Sequence, residues 1–173
     1  MKTLKDILYG VGLSAVSGST SIMVNQICFD SRKVGKDDVF VAIKGLLADG
    51  HQFIDKAIAS GAKSIICEEL PGKLDSGITY VEVDNGNKAL AIMASNYYGN
   101  PSKNLRLVGV TGTNGKTTVS SLLYQLFKKA GFKVGLISTI KIMVDNKEYA
   151  TTHTTPDALT INKHLQLMND EGV

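Results

Sequence analysis

The sequence predicts an α/β protein in two parts, a small α/β domain over residues 1–102 and the start of a second domain, with a mainly parallel sheet, over residues 103–173. Short apolar runs alternate with segments of helical period along the chain. The composition, 43% hydrophobic and 20% charged residues in 173, is that of a globular protein. The segment Asn100-Pro101-Ser102 interrupts this pattern, which then restarts. We therefore expect a hinge between two domains at that segment.

The N-terminal segment and three apolar runs define the first elements. Leu4, Ile7 and Leu8 lie at helical spacing and predict a short amphipathic helix that packs on the domain. Asp6 interrupts the apolar stretch that follows the basic N-terminus, so this stretch is not interpreted as a signal peptide. The apolar runs predict buried strands over residues 39–43, 64–67 and 79–83.

Two further helices of the first domain follow from their apolar faces. These faces are Phe53, Ile54, Ala57 and Ile58 in one helix, and Leu90, Ala91, Ala94, Tyr97 and Tyr98 in the other. Gly61 and Gly99 stand where the two helices should end, because glycine readily adopts the left-handed conformation of a C-cap. Asn87 is the predicted N-cap of the second of these helices.

A strand, a helix and a returning strand open the second domain. Residues 105–110 form a near-continuous apolar run, which is typical of a strand covered on both faces in a parallel sheet. The helix that follows has the apolar face Val119, Leu122, Leu123, Leu126 and Phe127. Lys128 and Lys129 lie in its last turn and Gly131 follows. Residues 134–138 are the returning strand, so the segment is predicted to be a βαβ unit.

A hairpin and a last helix complete the chain. The hairpin is predicted over residues 140–149, with its turn at Asp145-Asn146-Lys147. Thr155 is the predicted N-cap of the helix, with Pro156 at its first position and its end at Glu171-Gly172. Its buried face is expected to be Ala158, Ile161, Leu165 and Met168.

Charge and cysteine content exclude several classes of protein. Lys and Arg total 19 against 16 Asp and Glu, and a net charge of +3 is too small to indicate binding to nucleic acid or an anionic membrane. Cys28 and Cys67 lack the spacing of a zinc or redox motif, and we expect buried free thiols. No apolar run is as long as a membrane span. We expect a cytoplasmic protein with neither nucleic acid nor a membrane as its partner.

The most specific motif is the loop Gly112-Thr113-Asn114-Gly115-Lys116-Thr117-Thr118 between the predicted strand and helix. Glycine-rich turns expose backbone N–H groups, the helix end adds unpaired donors and a positive dipole, and Lys116 adds a charge. Such a loop binds ATP by its phosphates, and the Thr117 hydroxyl is placed to ligate Mg²⁺. We therefore predict that residues 103–173 are the truncated start of a P-loop mononucleotide-binding domain.

The glycine spacing of this loop departs from the standard phosphate-binding motif. That motif has a glycine five residues before Gly115, and Val110 stands there instead. The alternative is an ordinary glycine-rich turn with an exposed lysine. The strand before and the amphipathic helix after the loop favour phosphate binding.

The loop and several upstream segments resemble the Mur ligase family, and specifically its MurE type. The segment from Val110 to Thr118 resembles the ATP-loop signature of these ligases, including its shortened spacing. The further matching segments are Asp30-Ser31-Arg32-Lys33-Val34, Asp38-Val39-Phe40-Val41-Ala42, Asp49-Gly50-His51-Gln52-Phe53, Ala89-Leu90-Ala91, Tyr98-Gly99-Asn100-Pro101-Ser102 and His153-Thr154-Thr155-Pro156. The resemblance extends from about Leu4 to Val173. It departs at Asp84-Asn85-Gly86-Asn87, where the family often has an arginine.

The resemblance implies an ATP-dependent ligase of peptidoglycan precursor synthesis. Such an enzyme phosphorylates the C-terminal carboxylate of UDP-MurNAc-L-Ala-D-Glu and then joins the acyl phosphate to the amine of a diamino acid, meso-diaminopimelate or L-lysine. ATP and Mg²⁺ would be its cofactors, and we expect a monomer. The N-terminal domain would bind the UDP-sugar. The family's remaining metal ligands and its diamino-acid domain would lie beyond residue 173, so we expect this chain alone to be inactive.

Carried over by position, the resemblance also implies substrate contacts. Ser31 would contact the UDP portion, and Thr154 and Thr155 would hold the substrate near the ATP site. Phe29 and the stretch 46–48 are further candidates for the nucleotide-sugar pocket.

Several residues of the matching segments have an alternative role. Ser31 can cap its turn, Thr155 is a good helix N-cap, and Arg32 can form a salt bridge or contact substrate. His51 and His153 have no second metal ligand at helical spacing, which favours structural or solvent-exposed histidines.

Two other functions remain open from the sequence. One is a related ATP-dependent ligase of the same superfamily, of the MurF type or a folylpolyglutamate synthetase. The other is a non-catalytic module that binds a nucleotide sugar.

Overall fold

The structure, a computed structural model, describes residues 1–45, 48–150 and 156–173. It divides into two compact units, Met1–Tyr97 and Tyr98–Val173. The elements of the first unit are β1 (Lys2–Thr3), α1 (Leu4–Ile7), β2 (Leu13–Ser17), β3 (Met23–Val24), β4 (Ile27–Cys28), β5 (Val39–Val41), α2 (Ile54–Ala59), β6 (Ser64–Cys67), β7 (Thr79–Val83) and α3 (Gly86–Tyr97). A 3-10 turn over Gly50–Phe53 leads directly into α2.

A five-stranded sheet in the order β2-β7-β6-β5-β4 forms the centre of the first unit. β4, β5, β6 and β7 run parallel, and β2 pairs antiparallel with β7 at one edge. β1 and β3 form a separate antiparallel pair. Because four neighbouring strands are parallel, the residues that follow them meet at one edge of the sheet, which we call the carboxyl edge.

Apolar side chains from the central strands and from helices on the sheet build the core. The largest fully buried side chains are Tyr80, Phe40, Leu4, Ile7, Ile65, Ile66, Met93, Val24, Val39, Val41 and Val81 in this unit. Burying each large apolar side chain contributes about 1.5–3 kcal/mol. The short helix predicted at the N-terminus is confirmed as α1, which packs against α3.

The predicted strands over residues 64–67 and 79–83 are confirmed in both position and length, as β6 and β7. Three details of the first unit are corrected. α3 begins at Gly86, one residue before Asn87, and the side chain of Asn85 caps it by accepting the N–H of Lys88 at 2.8 Å. Ala91 is exposed, whereas Met93 is buried on the inner face. The early start follows from the Gly86 N–H, which is bound by the Glu68 side chain.

A buried carboxylate joins the loops before β4 and β5. Asp38 is fully buried and accepts hydrogen bonds from Asn25 Nδ2 at 2.9 Å, from Gln26 Nε2 at 2.7 Å and from the Gly35 N–H at 2.7 Å. A buried carboxylate is stable only with such partners. These contacts fix the chain that runs from β4 to β5.

Cys28 and Cys67 are buried free thiols, as predicted. Burial raises the pKa of Cys28 to about 12, with a further contribution from Asp38. Burial likewise raises the pKa of Cys67 to about 11. Both thiols are therefore protonated at neutral pH, whereas the thiolate is the reactive form.

The second unit contains α4 (Lys116–Lys129), β8 (Gly135–Ile137), β9 (Ile142–Val144), β10 (Lys147–Tyr149) and α5 (Ala158–Asp170), after a 3-10 turn over Pro101–Asn104. Its three strands form an antiparallel sheet in the order β10-β9-β8, and β9 and β10 are the predicted hairpin. α5 lies so close to β8 that a Cβ on Gly135 would be 2.3 Å from Met168 Sδ. The Asn169 side chain donates to the Pro101 carbonyl at 2.9 Å.

The α/β fold class is confirmed, but the opening of the second unit differs from the prediction. Residues 105–110 form no strand, and Leu107 and Val108 are 59% and 72% exposed. α4 forms as predicted, but its apolar face is uncovered, with Leu122 and Leu126 59% and 61% exposed. A strand that is apolar on both faces needs paired neighbours and covering helices, and the described residues supply neither for 105–110. The predicted βαβ unit is therefore not formed within the described part of the chain.

The start of α5 is also corrected. Asp157 is its N-cap and accepts the N–H of Thr160 at 2.9 Å, so the helix begins at Ala158 and Pro156 precedes it. The predicted start at Thr155 is too early because the Asp157 carboxylate caps the helix through the N–H of Thr160. Thr155 itself lies outside the described residues. None of the helices in the described ranges is long and apolar enough to cross a membrane.

Candidate functional site

The loop 111–115 enters α4 through two glycines in unusual conformations. Gly112 has a φ of +149° and Gly115 a φ of +78°. A Cβ on Gly115 would meet no atom within 4 Å, so the backbone conformation and not the lack of space requires glycine there. Gly115 is also the N-cap of α4, and no side chain caps this helix end. The N-terminus of α4 is therefore open to a ligand.

Lys116 folds back over this loop. Its Nζ donates to the carbonyl oxygens of Gly112 at 2.6 Å and Thr113 at 3.2 Å, and the side chain is exposed. The N–H of Val119 donates to the Gly115 carbonyl at 2.9 Å, so the amides before Val119 have no acceptor inside the helix. An ammonium group and amides that have no acceptor within the helix thus lie together at the positive end of the α4 dipole.

This arrangement fits the phosphates of a nucleotide. Anions bind where backbone N–H groups and a helix N-terminus converge, and a lysine adds charge. Thr117, which is half-buried in the first turn of α4, has the position of the hydroxyl that ligates Mg²⁺ in phosphate-binding loops. Thr118 is exposed beside it. The loop can hold a nucleoside triphosphate, and its exposed surface leaves access from solvent.

The carboxyl edge of the first unit gathers a second set of candidate residues. Phe29 and Ser31 follow β4, Ala48 follows β5, Glu68 follows β6, and Gly86 follows β7. In open sheets with parallel strands, ligands bind outside the carboxyl ends. The candidates Ser31 and Ala48 thus lie on loops after neighbouring strands. Leu46 and Leu47 belong with Ala48 to the candidate stretch 46–48, but they lie outside the described residues. The same holds for His153, Thr154 and Thr155.

Ser31 is buried, with 8% of its surface exposed, in a turn that Asp30 stabilises. Asp30 Oδ1 accepts the N–H of Arg32 at 3.0 Å, and the Asp30 carbonyl accepts the N–H of Lys33 at 3.0 Å. The cap of this turn is therefore Asp30, and the alternative role of Ser31 as the cap is wrong.

Arg32 pairs with Asp30 through Nε and Nη2, both at 2.9 Å. This is the salt bridge that was one of its two predicted roles. The hydrogen bonds from the Arg32 side chain lower the pKa of Asp30 to about 2.

His51 belongs to a hydrogen-bonded cluster. Its Nδ1 is 2.6 Å from Asp49 Oδ1, and its Nε2 accepts the N–H of Glu68 at 2.9 Å. Hydrogen bonds from the His51 backbone and then from its ring lower the pKa of Asp49. No group of three or more His, Cys, Asp or Glu residues in the described part of the chain could hold a metal ion. The hydrogen bonds of His51 to Asp49 and Glu68 are those of a structural histidine.

Sequence reasoning missed Lys44 and Glu68 at the carboxyl edge. Glu68 Oε1 accepts the N–H of Gly86 at 2.8 Å, and Lys44 Nζ lies 3.7 Å from Glu68 Oε2 and 3.0 Å from Glu69 Oε1. The one available signal was the pair Glu68-Glu69 directly after an apolar strand. The residues that contact Glu68 are distant in the sequence, so the acidic pair alone cannot be distinguished from the charged residues of a solvent-exposed loop.

Comparison with known families finds two matching profiles. The profile described as "Mur ligase family, catalytic domain" matches residues 23–98, and that of the "Mur ligase middle domain" matches residues 110–173. The first match lies in the unit with the carboxyl edge, and the second begins at the glycine-rich loop.

Similar proteins share the full extent of the chain. A UDP-N-acetylmuramoyl-L-alanyl-D-glutamate--2,6-diaminopimelate ligase of Cytophaga hutchinsonii is 49% identical over 170 residues, covering 98% of this chain and 35% of the relative. The protein of the same name from Clostridium tetani is 42% identical over 172 residues, covering 98% of this chain and 36% of the relative. The chain thus spans about a third of the length of these relatives.

Solved structures agree with the fold. A structure of a UDP-N-acetylmuramoyl-L-alanyl-D-glutamate--2,6-diaminopimelate ligase superposes with a TM-score of 0.75 at 23% identity, over 99% of this chain and 34% of the other. MurF from Acinetobacter baumannii superposes with a TM-score of 0.61 at 19% identity, over 95% of this chain and 32% of the other. At these identities the likeness concerns the fold alone.

Proposed function

The chain belongs to the Mur ligase family, and from this premise we propose that it is the N-terminal part of an ATP-dependent ligase of peptidoglycan precursor synthesis. The proposed reaction adds a diamino acid to UDP-MurNAc-L-Ala-D-Glu. The observation that carries the proposal is a sequence identity of 42–49% to relatives named for this reaction. The matched residues extend through both units. The geometry of the loop at α4 supports the use of ATP.

The loop would bind ATP by its phosphates. The first-turn amides of α4 and the Lys116 ammonium group would donate hydrogen bonds to the phosphate oxygens. For this, the ammonium group would give up its present hydrogen bonds to the carbonyl oxygens of Gly112 and Thr113. Mg²⁺ would offset negative charge on the phosphates when bound, with Thr117 as one of its ligands. Lys116 stabilises charge that develops on the γ-phosphate during transfer.

The proposed reaction has two steps. A carboxylate oxygen of the substrate's D-Glu attacks the γ-phosphorus, the bond to the β-phosphate oxygen breaks, and ADP leaves. The amine of the diamino acid then attacks the acyl carbon and loses a proton, and inorganic phosphate departs with the carboxylate oxygen. Positioning of the two substrates is the main contribution a protein makes to such transfers.

The first unit would bind the UDP-sugar at its carboxyl edge. Ser31, buried in a turn that does not need its hydroxyl as a cap, would donate to the UDP portion. Thr154 and Thr155 would hold the substrate near the ATP site. In this proposal residues 1–102 are the UDP-sugar-binding domain and residues 103–173 belong to the ATP-binding domain. The enzyme would act as a cytoplasmic monomer.

The diamino acid is proposed to be 2,6-diaminopimelate and not lysine, because the relatives are named for it. The test uses the full-length enzyme with ATP, Mg²⁺ and UDP-MurNAc-L-Ala-D-Glu, with each amino acid in turn. We expect ADP release and a UDP-linked tripeptide with diaminopimelate. Turnover only with D-alanyl-D-alanine and a UDP-linked tripeptide would indicate a MurF-type ligase, and turnover with folate and glutamate a folylpolyglutamate synthetase. UDP-sugar binding without ADP release would indicate a binding module.

A further inference from the structure

The cluster of Lys44, Asp49, His51, Glu68 and Gly86 joins three loops at the carboxyl edge, and we call it the His51 clamp. A backbone N–H can only donate, so the hydrogen bond from Glu68 fixes Nε2 of His51 as an acceptor. The ring proton therefore lies on Nδ1 and is donated to Asp49 Oδ1 at 2.6 Å. His51 in this tautomer connects its own loop to the end of β6.

Glu68 extends the connection to α3. Its Oε1 accepts the N–H of Gly86 at the first residue of that helix, and its Oε2 faces Lys44. The backbone is tightly packed there, since a Cβ on Gly86 would lie 3.1 Å from the Ala42 carbonyl oxygen. The clamp thus links the loop after β5 with the end of β6 and the start of α3.

Polar contacts position the described residues that follow β5. Lys44, Gly45 and Ala48 are exposed, so apolar burial contributes little to holding them. The Gly45 N–H donates to the Ala48 carbonyl at 3.0 Å, and the backbones of Lys44 and Asp49 form an isolated antiparallel β-bridge. The side chains of His51 and Lys44 connect these residues to Glu68 at the end of β6.

We propose that His51 is a positioning residue for the UDP-sugar, an inference that rests on the proposed function. It does not need to touch the substrate. It holds Asp49, and with it Ala48, at the carboxyl edge. Both residues follow β5, and β5 neighbours β4, the strand that precedes Ser31. Loss of the clamp should weaken binding of the UDP-sugar and leave the chemical step and ATP binding unchanged, because the loop at α4 lies in the other unit.

Two substitutions separate the two functions of the ring. In His51→Gln the amide oxygen can still accept from the Glu68 N–H, whereas His51→Ala removes both hydrogen bonds. In the full-length enzyme we expect His51→Ala to raise the KM for UDP-MurNAc-L-Ala-D-Glu about tenfold, with kcat and the KM for ATP within about twofold. His51→Gln should restore the KM to within about threefold of the wild type.

A control separates positioning from general loss of stability. Gly61→Ala strains the first unit near Lys36, away from the carboxyl edge, and should leave the KM for the UDP-sugar unchanged. An unchanged KM in His51→Ala, an equal rise in the KM for ATP, or no recovery in His51→Gln would overturn the inference.

Hydrogen exchange distinguishes failure of the clamp from failure of the proposed function. In His51→Ala the Glu68 amide should exchange about tenfold faster than in the wild type, and His51→Gln should slow it again. Unchanged exchange would overturn the clamp whatever the enzyme does. Absence of turnover in the wild-type enzyme would overturn the proposed function, and the role of His51 in that function with it.

Discussion

The Lys116 side chain lies over the loop in which it is proposed to bind phosphate. Its Nζ is held by two carbonyl oxygens of that loop, and no apolar packing depends on it because the side chain is exposed. Phosphate oxygens are stronger acceptors than carbonyls for a charged donor. The residue can therefore change partners when ATP binds at little cost to the fold.

Lys116→Ala in the full-length enzyme should abolish ATP turnover and leave the fold intact. Loss of a charge-assisted phosphate contact costs roughly 2–4 kcal/mol of transition-state stabilisation. Steady-state kinetics and the melting temperature measure the two effects, with the exposed Lys129→Ala at the other end of α4 as the control. Near-normal turnover would refute the phosphate-binding role, and a large fall in melting temperature would indicate a structural lysine.

Ser31→Ala should raise the KM for the UDP-sugar several-fold and leave the KM for ATP nearly unchanged. A hydrogen bond to a neutral partner contributes about 0.5–1.5 kcal/mol, and Asp30 keeps the turn closed without the hydroxyl. The exposed Ser102→Ala is the matched control. Equal weakening toward both substrates would contradict the assignment of Ser31 to a separate UDP site.

The ion pair of Asp30 and Arg32 makes a pH-dependent contribution to stability. The pKa of Asp30 is lowered from 3.8 to about 2, so the contribution is present above the ordinary pKa and is lost as the pH falls toward 2. Arg32→Ala should raise this pKa but not restore it fully, because the backbone N–H of residue 32 still donates to Asp30. Carboxyl NMR titration measures the pKa of Asp30, with the exposed Lys36→Ala as the control. An unchanged pKa would show that the pair does not form.

Single residues were predictable where their motif is local. The seven residues 112–118 are contiguous, so together with the helix they begin they predict phosphate binding although their glycine spacing departs from the standard motif. Glu68 was not predictable, because it acts through Gly86 and His51, each 17 or 18 residues away in the sequence. The role of Ser31 was inferred only through the family resemblance, and it stays a prediction.

At the scale of elements, the predictable strands are those with continuous apolar runs. β6 and β7 are central strands covered on both faces, and their β-branched and aromatic residues identify them directly. β2 lies at the sheet edge with most residues exposed or half-buried, and β4 has only two residues, so neither shows a readable pattern. Helix starts were less predictable, since polar side chains at Asn85 and Asp157 decide them.

The turn between α2 and β6 should depend on glycine at position 61. Gly61 has a φ of +110°, and a Cβ there would lie 2.9 Å from Lys36 Cα. Gly61→Ala should lower the free energy of unfolding by about 1–3 kcal/mol, as measured by urea denaturation.

Two other glycines separate the causes of that loss. Gly77 has a φ of +89°, but a Cβ there would meet no atom within 4 Å. Gly77→Ala should therefore lower the free energy of unfolding by about 1 kcal/mol. Gly72→Ala has neither problem and should be neutral within about 0.5 kcal/mol. If Gly61→Ala were as stable as Gly72→Ala, the described turn would be wrong.

At the scale of the whole molecule, the two units differ in how well the chain itself covers their apolar surface. The first unit buries both faces of its central strands. In the second unit the predicted strand over 105–110 does not form, and Leu107, Val108 and the apolar face of α4 are exposed. The sequence pattern describes a strand that needs neighbours, and such neighbours are not among the described residues.

The 173-residue chain should therefore form no amide bond by itself. The segment before the loop at α4 forms no paired strand, so the loop lacks the rigid support that would position phosphates for in-line transfer. Incubation with ATP, Mg²⁺, UDP-MurNAc-L-Ala-D-Glu and diaminopimelate or lysine, followed by mass spectrometry, tests this. Tripeptide above background would contradict it. The full-length enzyme is the positive control.

The loop at α4 is proposed to serve an ATP-dependent ligation through an acyl phosphate. Oxygen transfer in the full-length enzyme tests this, with substrate labelled with ¹⁸O in the reacting carboxylate of D-Glu. We expect one ¹⁸O atom in the inorganic phosphate released for each amide bond formed, and loss of both products in Lys116→Ala. Unlabelled phosphate, or release of AMP and pyrophosphate in place of ADP, would contradict it.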